Sequence, residues 1–371
     1  MKPLRKALFW LHLVLGITGG IVIAALAFTG AAMALEPELM AAFDRGSRAI
    51  KPVAYAPRLS ARQLVDSIAE ERPELEPYGM IISSDPTRTT QVRVARSHQI
   101  SMHPQTGEIL GERTPHNFFT WMLRIHVRLS AGDVGNTIVV WSNIFFIILC
   151  VSGLYLWWPK TKAGLSRLIR FNFKLRRRAF HWHLHNVTGF WSCAVLLLIA
   201  FTGMMMSYRW ASDLPYTLTG SAKAPSTENV QLAEGTPFIP VDEAIDAAIL
   251  RKPDWTQLSI YFPAPSRGTY RFFILGEDPP HPYASSRLDL HGATGEELTW
   301  EEYTEYNIGR TIRSYVLPLH MGTVAGLPGR LIAFFACVAA IALVVTGYVL
   351  TWQRFRPRKR VKSMKINPSE G

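Results

Sequence analysis

Apolar and polar positions follow two different rhythms along this chain. Four stretches, at 9–35, 137–158, 187–208 and 329–352, are almost continuously apolar. Each is long enough to cross a bilayer as a helix, which takes about 20 residues. The two long segments between them read differently. Leu59–Ile68 and Ile239–Ala248 place apolar residues at helical spacing, and alternating, strand-like runs follow each. Both segments then reach a similar turn, ISMHPQTGE at 100–108 and LDLHGATGE at 288–296, in which Thr-Gly supplies a tight hairpin connection. Each segment is expected to pack one helix on a small antiparallel sheet. The Pro-rich stretch from Leu214 to Pro240 is expected to be a linker or a surface excursion.

The expected architecture is a membrane α-helical protein, a four-helix transmembrane bundle built by internal duplication and carrying two small α+β domains. Its parts are a first span at 1–35, a domain at 36–125, an interfacial helix with the second span at 126–158, and a basic loop at 159–184. A third span at 185–208, a second domain at 209–319, an interfacial segment with the fourth span at 320–353, and a basic tail at 354–371 complete it. The first apolar stretch is too long for a signal-peptide core and lacks a small-residue cleavage site before Glu36. It is expected to be retained as a helix.

Charge gives this plan an orientation. Lys2, Arg5 and Lys6 precede the first span, eight Lys/Arg lie between Lys160 and Arg178, and seven more run from Arg354 to Lys365. The net charge of +12 thus divides into about +17 on the side of the termini and −5 on the other, which places both termini in the cytoplasm. Because the positive excess sits beside membrane spans, it is read as facing membrane lipid rather than nucleic acid. Cys150, Cys193 and Cys337 all fall within spans, and no C-x-x-C-H motif offers covalent haem attachment. The thiols are read as small apolar packing residues.

The candidate chemistry is an internal repeat of histidines. His12 and His185 each open H-x-x-x-G and precede a Phe-Thr-Gly by the same interval, Thr29 and Thr202 both lying 17 residues on. His126 and His320 each lie 26 residues before a hydroxyl-glycine pair, Ser152-Gly153 or Thr346-Gly347. Histidines matched on opposed helices point to a metal held between them. An unbroken helix of that second interval would cover about 39 Å, more than the roughly 30 Å hydrocarbon core. Gly132 and Gly135 follow His126, and Gly322, Gly326, Pro328 and Gly329 follow His320, so a short interfacial helix is expected before each span.

Span, helix-sheet domain, span, repeated once with these motifs, resembles the PepSY-associated transmembrane family, and within it the ferric-siderophore reductases of Gram-negative inner membranes. The resemblance covers almost all of residues 1–355. It implies a bacterial inner-membrane protein with two PepSY-like domains in the periplasm. It also implies two non-covalent b-type haems, one ligated by His12 and His185 on the cytoplasmic side, the other by His126 and His320 on the periplasmic side. Electrons from a cytoplasmic reductase or membrane quinol would then reach a ferric siderophore, serving iron uptake.

Around these ligands several residues stay open. The run from His181 through His183 to His185 offers three imidazoles, of which His185 alone matches His12 in register; His183 is read as a supporting or propionate contact, or as an alternative ligand, as is His181 in the last respect. Arg124, Arg128, Arg310 and Arg313 flank the outer histidines at spacings suited to haem propionates or an anionic ligand. His103 and His291 match each other on the Thr-Gly turns and are read as structural. Thr29, Ser152, Thr202 and Thr346 are expected to return hydrogen bonds to their own helices, and Gly16, Gly19, Gly20 and Gly189 to admit a macrocycle or ordinary helix packing. Met204, Met205 and Met206, with Tyr208 and Trp210, are read as an aromatic belt or an adaptable apolar site.

No G-x-G-x-x-G or P-loop is present, so a nucleotide-bound electron source has no seat in this chain. The catalytic residues are left unassigned. A second reading, in which PepSY-like domains bind or regulate a periplasmic protein partner without redox activity, and a proton-relay transporter, for which the spans lack companion acids, remain as alternatives.

Overall fold

The structure is a computed structural model that describes residues 3–43, 50–53, 56–95, 98–112, 114–159, 168–225, 230–233, 235–264 and 267–356. Residues 160–167 of the basic loop expected at 159–184, the tail from 357 on and part of the Pro-rich stretch lie outside the described residues.

Helix α1 (Pro3–Ala34) leads into α2 (Glu36–Phe43). The first connecting segment holds α3 (Ala61–Glu71), strands β1 (Gly79–Ser83), β2 (Thr90–Ala95), β3 (His98–Met102) and β4 (Ile109–Glu112), and α4 (Thr114–Arg128). Helix α5 (Gly132–Trp157) returns across the bundle, followed by α6 (Arg177–Ser207) and α7 (Arg209–Thr219). The second segment carries α8 (Val241–Arg251), β5 (Trp255–Tyr261), β6 (Thr269–Gly276), β7 (Ser285–His291) and β8 (Glu297–Glu301). It ends in α9 (Ile308–Ser314) and α10 (Val316–Met321), and α11 (Gly326–Phe355) closes the chain.

Four helices, α1, α5, α6 and the last, are long and apolar enough to cross a membrane. Each of α1 and α6 packs against both α5 and α11. Small residues dominate the centre, where Ala27, Ala31, Leu196, Ala336, Cys337 and Ala340 form one buried cluster. Close backbone approach is what such residues permit between membrane helices, where no hydrophobic force drives association. Gly16, Gly19 and Gly189 face Leu149, Phe145 and Leu343, while Gly20 receives the Tyr348 ring, whose hydroxyl donates to Ile17 O at 2.7 Å.

The strands depart from the expectation of two small sheets. They form one eight-stranded antiparallel sheet in the order β4-β3-β2-β1-β5-β6-β7-β8, with β1 paired to β5 from Gly79↔Tyr261 to Ser83↔Gln257. An unpaired β1 or β5 would leave a row of backbone donors and acceptors exposed at an edge, and the two segments remove that liability by pairing with each other. Their apolar faces merge too, so that Met80, Val92, Ile260, Phe272 and Leu288 share one core with residues of α3 and α8. Helix α8 also helps to cap α3. Ser60 and Gln63 make a capping box at the start of α3, and the Asp242 carboxylate accepts from Ala61 N at 2.6 Å and Arg62 N at 3.3 Å.

Both expected helix breaks occur, after the histidines. The short helices begin earlier than 126 and 320 and carry the histidines near their ends: His126 lies in the last turn of α4 and His320 in that of α10. The reversal is tight because the chain crosses itself at glycine. A Cβ at Gly135 would stand 1.7 Å from Arg128 O, and one at Gly329 would stand 2.2 Å from Gly322 O. The third span starts at Arg177 rather than 185, so His181 and His183 are helical, and Leu214 belongs to α7 rather than to the Pro-rich stretch.

Phe272 is fully buried at the centre of the sheet. Phe272→Ala is expected to cost about 3–5 kcal/mol, read as a lower denaturation midpoint, whereas Phe273→Ala, on the opposite face, is expected to cost clearly less.

Candidate functional site

The fold brings the four histidines together as two pairs. The His12 and His185 ring centres lie 6.4 Å apart with planes at 87°, and those of His126 and His320 lie 6.1 Å apart at 69°. The first pair sits at the end of the bundle where α1 begins, and the second at the end nearer the sheet. Seventeen residues of α1 separate His12 from Thr29, the contact of His126. At about 1.5 Å per residue this is roughly 25 Å, most of a hydrocarbon core.

Each imidazole is held by a hydroxyl from a neighbouring span. Ser152 Oγ lies 2.9 Å from His12 Nδ1, and Thr346 Oγ1 lies 2.9 Å from His185 Nδ1. At the other end Thr29 Oγ1 lies 2.9 Å from His126 Nδ1, and Thr202 Oγ1 lies 3.1 Å from His320 Nδ1. The four hydroxyls also donate backward to their own helices, as expected. Thr29 reaches Ala25 O and Leu26 O at 2.9 and 3.0 Å, Thr202 reaches Leu198 O and Ile199 O at 2.8 and 2.9 Å, and Thr346 reaches Ala342 O at 2.7 Å. Ser152 reaches Leu149 O at 3.3 Å.

That double role fixes the tautomer. A hydroxyl whose proton is committed to a carbonyl can only accept from the imidazole, so Nδ1 carries the proton and donates it. Leu26 O at 3.1 Å from His126 Nδ1 and Ile199 O at 2.9 Å from His320 Nδ1 demand the same, since a carbonyl only accepts. Nε2 is then left with its lone pair, the state in which imidazole binds a metal.

At two of the four seats the glycine after the hydroxyl makes room for the ring, and at the other two the ring is in ordinary contact distance. A Cβ at Gly153 would stand 3.2 Å from His12 Cε1, and one at Gly203 would stand 3.3 Å from His320 Cε1. At Gly30 and Gly347 the corresponding distances to His126 and His185 are 3.5 and 3.7 Å. Ser/Thr-Gly is therefore a histidine seat. Sequence spacing along one helix assigns these hydroxyls only to their own helices, whereas their fixed interval from the histidines marks the shared seat. The partner is crossed, however. His126 uses Thr29 rather than the Ser152 that follows it in sequence, and His12 uses Ser152 rather than Thr29.

Other candidates are placed apart from the pairs. His183 is buried with Nε2 2.9 Å from Arg170 O and 3.1 Å from Asn172 N, bracing the loop before the third span. His181 packs edge-on against Phe180 at 5.6 Å. Of the three imidazoles, His185 is the one opposite His12. Arg310 is engaged by Glu301 at 3.3 Å and by the Tyr306 ring at 4.8 Å, and Arg313 Nε by Ser212 Oγ at 3.0 Å. Arg128 lies 3.6 Å from Asp133 on the surface, and Arg124 is exposed.

The turn histidines are staples. His103 Nδ1 accepts from Gln105 N and Thr106 N at 3.2 and 3.3 Å, and His291 Nδ1 from Ala293 N and Thr294 N at 3.3 and 3.2 Å. Met204 and Met205 pack with Ala211 and Val316 and so hold α10, which bears His320, while Met206 and Trp210 are exposed. His281, without a counterpart in the repeat, lies buried with its ring 4.6 Å from Tyr315, at the head of α10, and 3.1 Å from Tyr303 Oη. Burial lowers its pKa, so it acts as a neutral packing and hydrogen-bonding group.

Nitrogen-15 NMR of histidine-labelled protein is expected to find the proton on Nδ1 in all four paired imidazoles. Ser152→Ala is expected to mix the tautomers at His12 while leaving His126 and His320 unchanged.

A comparison with curated proteins finds no match. The family model described as the PepSY-associated TM region matches residues 9–354, a range that contains all four spans' apolar cores, the sheet and both histidine pairs. The chain is a multi-pass membrane protein that belongs to the PepSY-associated transmembrane family.

Proposed function

We propose that this protein is a di-haem b electron carrier of the bacterial inner membrane that takes electrons from a cytoplasmic reductase or membrane quinol and reduces ferric siderophores in the periplasm. The observation that carries the reading is the two opposed imidazole pairs, each ring held through Nδ1 by a hydroxyl of a neighbouring span, an arrangement that favours Nε2 as the metal-binding nitrogen. A metal set between two Nε2 atoms at about 2.0 Å from each, with roughly 1.1 Å from nitrogen to ring centre, separates the ring centres by roughly 6 Å. The observed 6.4 and 6.1 Å agree with that spacing. Two donors alone suit a metal that brings its remaining ligands with it, as haem iron does. Among the described residues no three His, Cys, Asp or Glu side chains gather as another metal site would require.

His12 and His185 would hold one haem and His126 and His320 the other. Haem supplies reversible one-electron chemistry when bound. The protein's part is to fix each ligand's tautomer and direction, to space the two sites along the bundle, and to keep them among apolar helices. Orientation follows the basic residues beside the termini, which favour a cytoplasmic terminal side and a periplasmic sheet. A one-electron reduction of a ferric chelate gives the ferrous form, which hard oxygen donors hold more weakly.

Single replacements test the assignment. His185→Ala or His12→Ala is expected to lose one of two haems and His126→Ala or His320→Ala the other, whereas His183→Ala keeps both, measured as haem per chain in the purified protein. Ser152→Ala and Thr202→Val are expected to weaken haem retention by roughly 10–100-fold at the pair each supports. Full haem content in all four histidine variants would overturn the reading.

A further inference from the structure

A buried polar atom without a partner is costly, and two such atoms lie beyond the seats of the His12/His185 pair. Trp157 is 6% exposed and stacks on Phe190 at 4.3 Å, yet its Nε1, which can only donate, has no hydrogen-bond partner among the described residues. On α11, Gln353 Oε1 is buried and likewise without a partner. Trp157 comes five residues after Ser152, the seat of His12, and Gln353 seven after Thr346, the seat of His185. Helices α5 and α11 both run toward the end of the bundle where α1 begins, so both residues lie on that side of the pair.

A third group reaches the same side. Arg5 lies seven residues before His12 on α1, as Gln353 lies seven after Thr346. Seven residues are close to two helical turns, so each shares the face of the residue from which it is counted, about 10 Å further along. Arg5 Nη2 donates to Leu156 O, the carbonyl bonded to Trp157, which sets a half-buried guanidinium beside the Trp157 backbone. That carbonyl is uncharged, and Arg5 makes no ion pair among the described residues. Between Arg5 and His12 on α1, Leu8 lines an apolar cleft with Val151, Ser152 and Tyr155 of α5. Three helices thus place a cation, an indole N–H and an amide on one side of the imidazole pair, with apolar surface in between.

We propose that Arg5, Trp157 and Gln353 form a carboxylate-binding site that holds the propionates of the haem set between His12 and His185. Those histidines come from α1 and α6, so the helices that flank the space between their rings are α5 and α11, which carry Trp157 and Gln353. The Arg5 guanidinium supplies the charge that a carboxylate needs away from water. Trp157 Nε1 donates one hydrogen bond, and the Gln353 amide, rotated by half a turn, presents a second donor where Oε1 stands. Arg124, Arg128, Arg310 and Arg313, expected in this role from their spacing, belong to the opposite end of the bundle. The site rests on the electron-carrier reading and deepens it by fixing which way the inner cofactor faces, with its acids toward the end where α1 begins.

The test uses the full chain in lipid nanodiscs, loaded with haem or with haem dimethyl ester, whose acids are masked. His126→Ala isolates the inner haem, and difference spectra against the unmodified chain give the same reading with both haems present. Resonance Raman reads the propionate bending band, and transfer to apomyoglobin reads the rate of release. The unmodified site is expected to release the ester about tenfold faster than haem. Arg5→Gln, Gln353→Leu and Trp157→Phe, which keeps an aromatic ring on Phe190, are each expected to shift the propionate band and to speed haem release by roughly threefold to tenfold. Arg5→Lys should do so by less, and release of the ester should respond to none of them, with the low-spin α-band intact throughout. Equal release of haem and ester by the unmodified chain overturns the site. So does an unmoved propionate band with both compounds released alike, the result expected if Arg5 meets only a membrane phosphate. Either outcome with haem bound rejects the site alone, whereas an unmodified chain that takes up no haem rejects the site and the electron carrier together.

Discussion

A hydroxyl whose own proton is already committed is the constraint on which the rest of the structure depends. Ser152, Thr29, Thr346 and Thr202 each donate within their helix and so face an imidazole only as acceptors. That one-way arrangement sets the proton on Nδ1 and frees Nε2 four times over. It works only if two helices hold a fixed longitudinal register, because a shift of one residue, about 1.5 Å, would break a 2.9 Å contact. The small residues at the bundle centre and the Tyr348 bond to Ile17 O lock that register, and at His12 and His320 the glycines after the hydroxyls keep the rings from being crowded out.

The sheet serves the same end from outside the bundle. Helices α4 and α10 deliver His126 and His320 from the two connecting segments, so the second pair depends on how those segments are fixed to each other. Pairing of β1 with β5 and a shared core under α3 and α8 make them one body, and Met204 and Met205 seat α10 against the end of α6. The outer pair is thus assembled by tertiary contacts, whereas the inner pair lies within two long helices and needs only their packing.

The four histidines were legible in the sequence because the repeat gives each a counterpart at the same interval, and register alone chose His185 over His183 and His181. The hydroxyl-glycine motifs were visible as well, but their partners were not. Sequence spacing measures distance along one helix, whereas Ser152 reaches His12 across to another, so the crossed exchange becomes visible only when α1 and α5 are packed. The same limit hid the merged sheet. Alternation identified the strands and the Thr-Gly turns, with Gly107 and Gly295 at φ 75° and 74°, yet it carries no information about which edges meet. Glycine and proline signalled the helix breaks near 132 and 322, after the histidines, while the starts of α4 and α10 upstream of the histidines were hidden because their short patterns merge into the expected domain.

The central claim is that each pair of imidazoles holds one haem. It is tested most directly by a reduced-minus-oxidised absorption spectrum, with haem quantified per chain, on unmodified protein purified from haem-replete cells. The account predicts the sharp α-band of low-spin, bis-imidazole b-type haem at a ratio of two per chain. A colourless protein, or haem whose spectrum shows no pair of imidazole ligands, would contradict it.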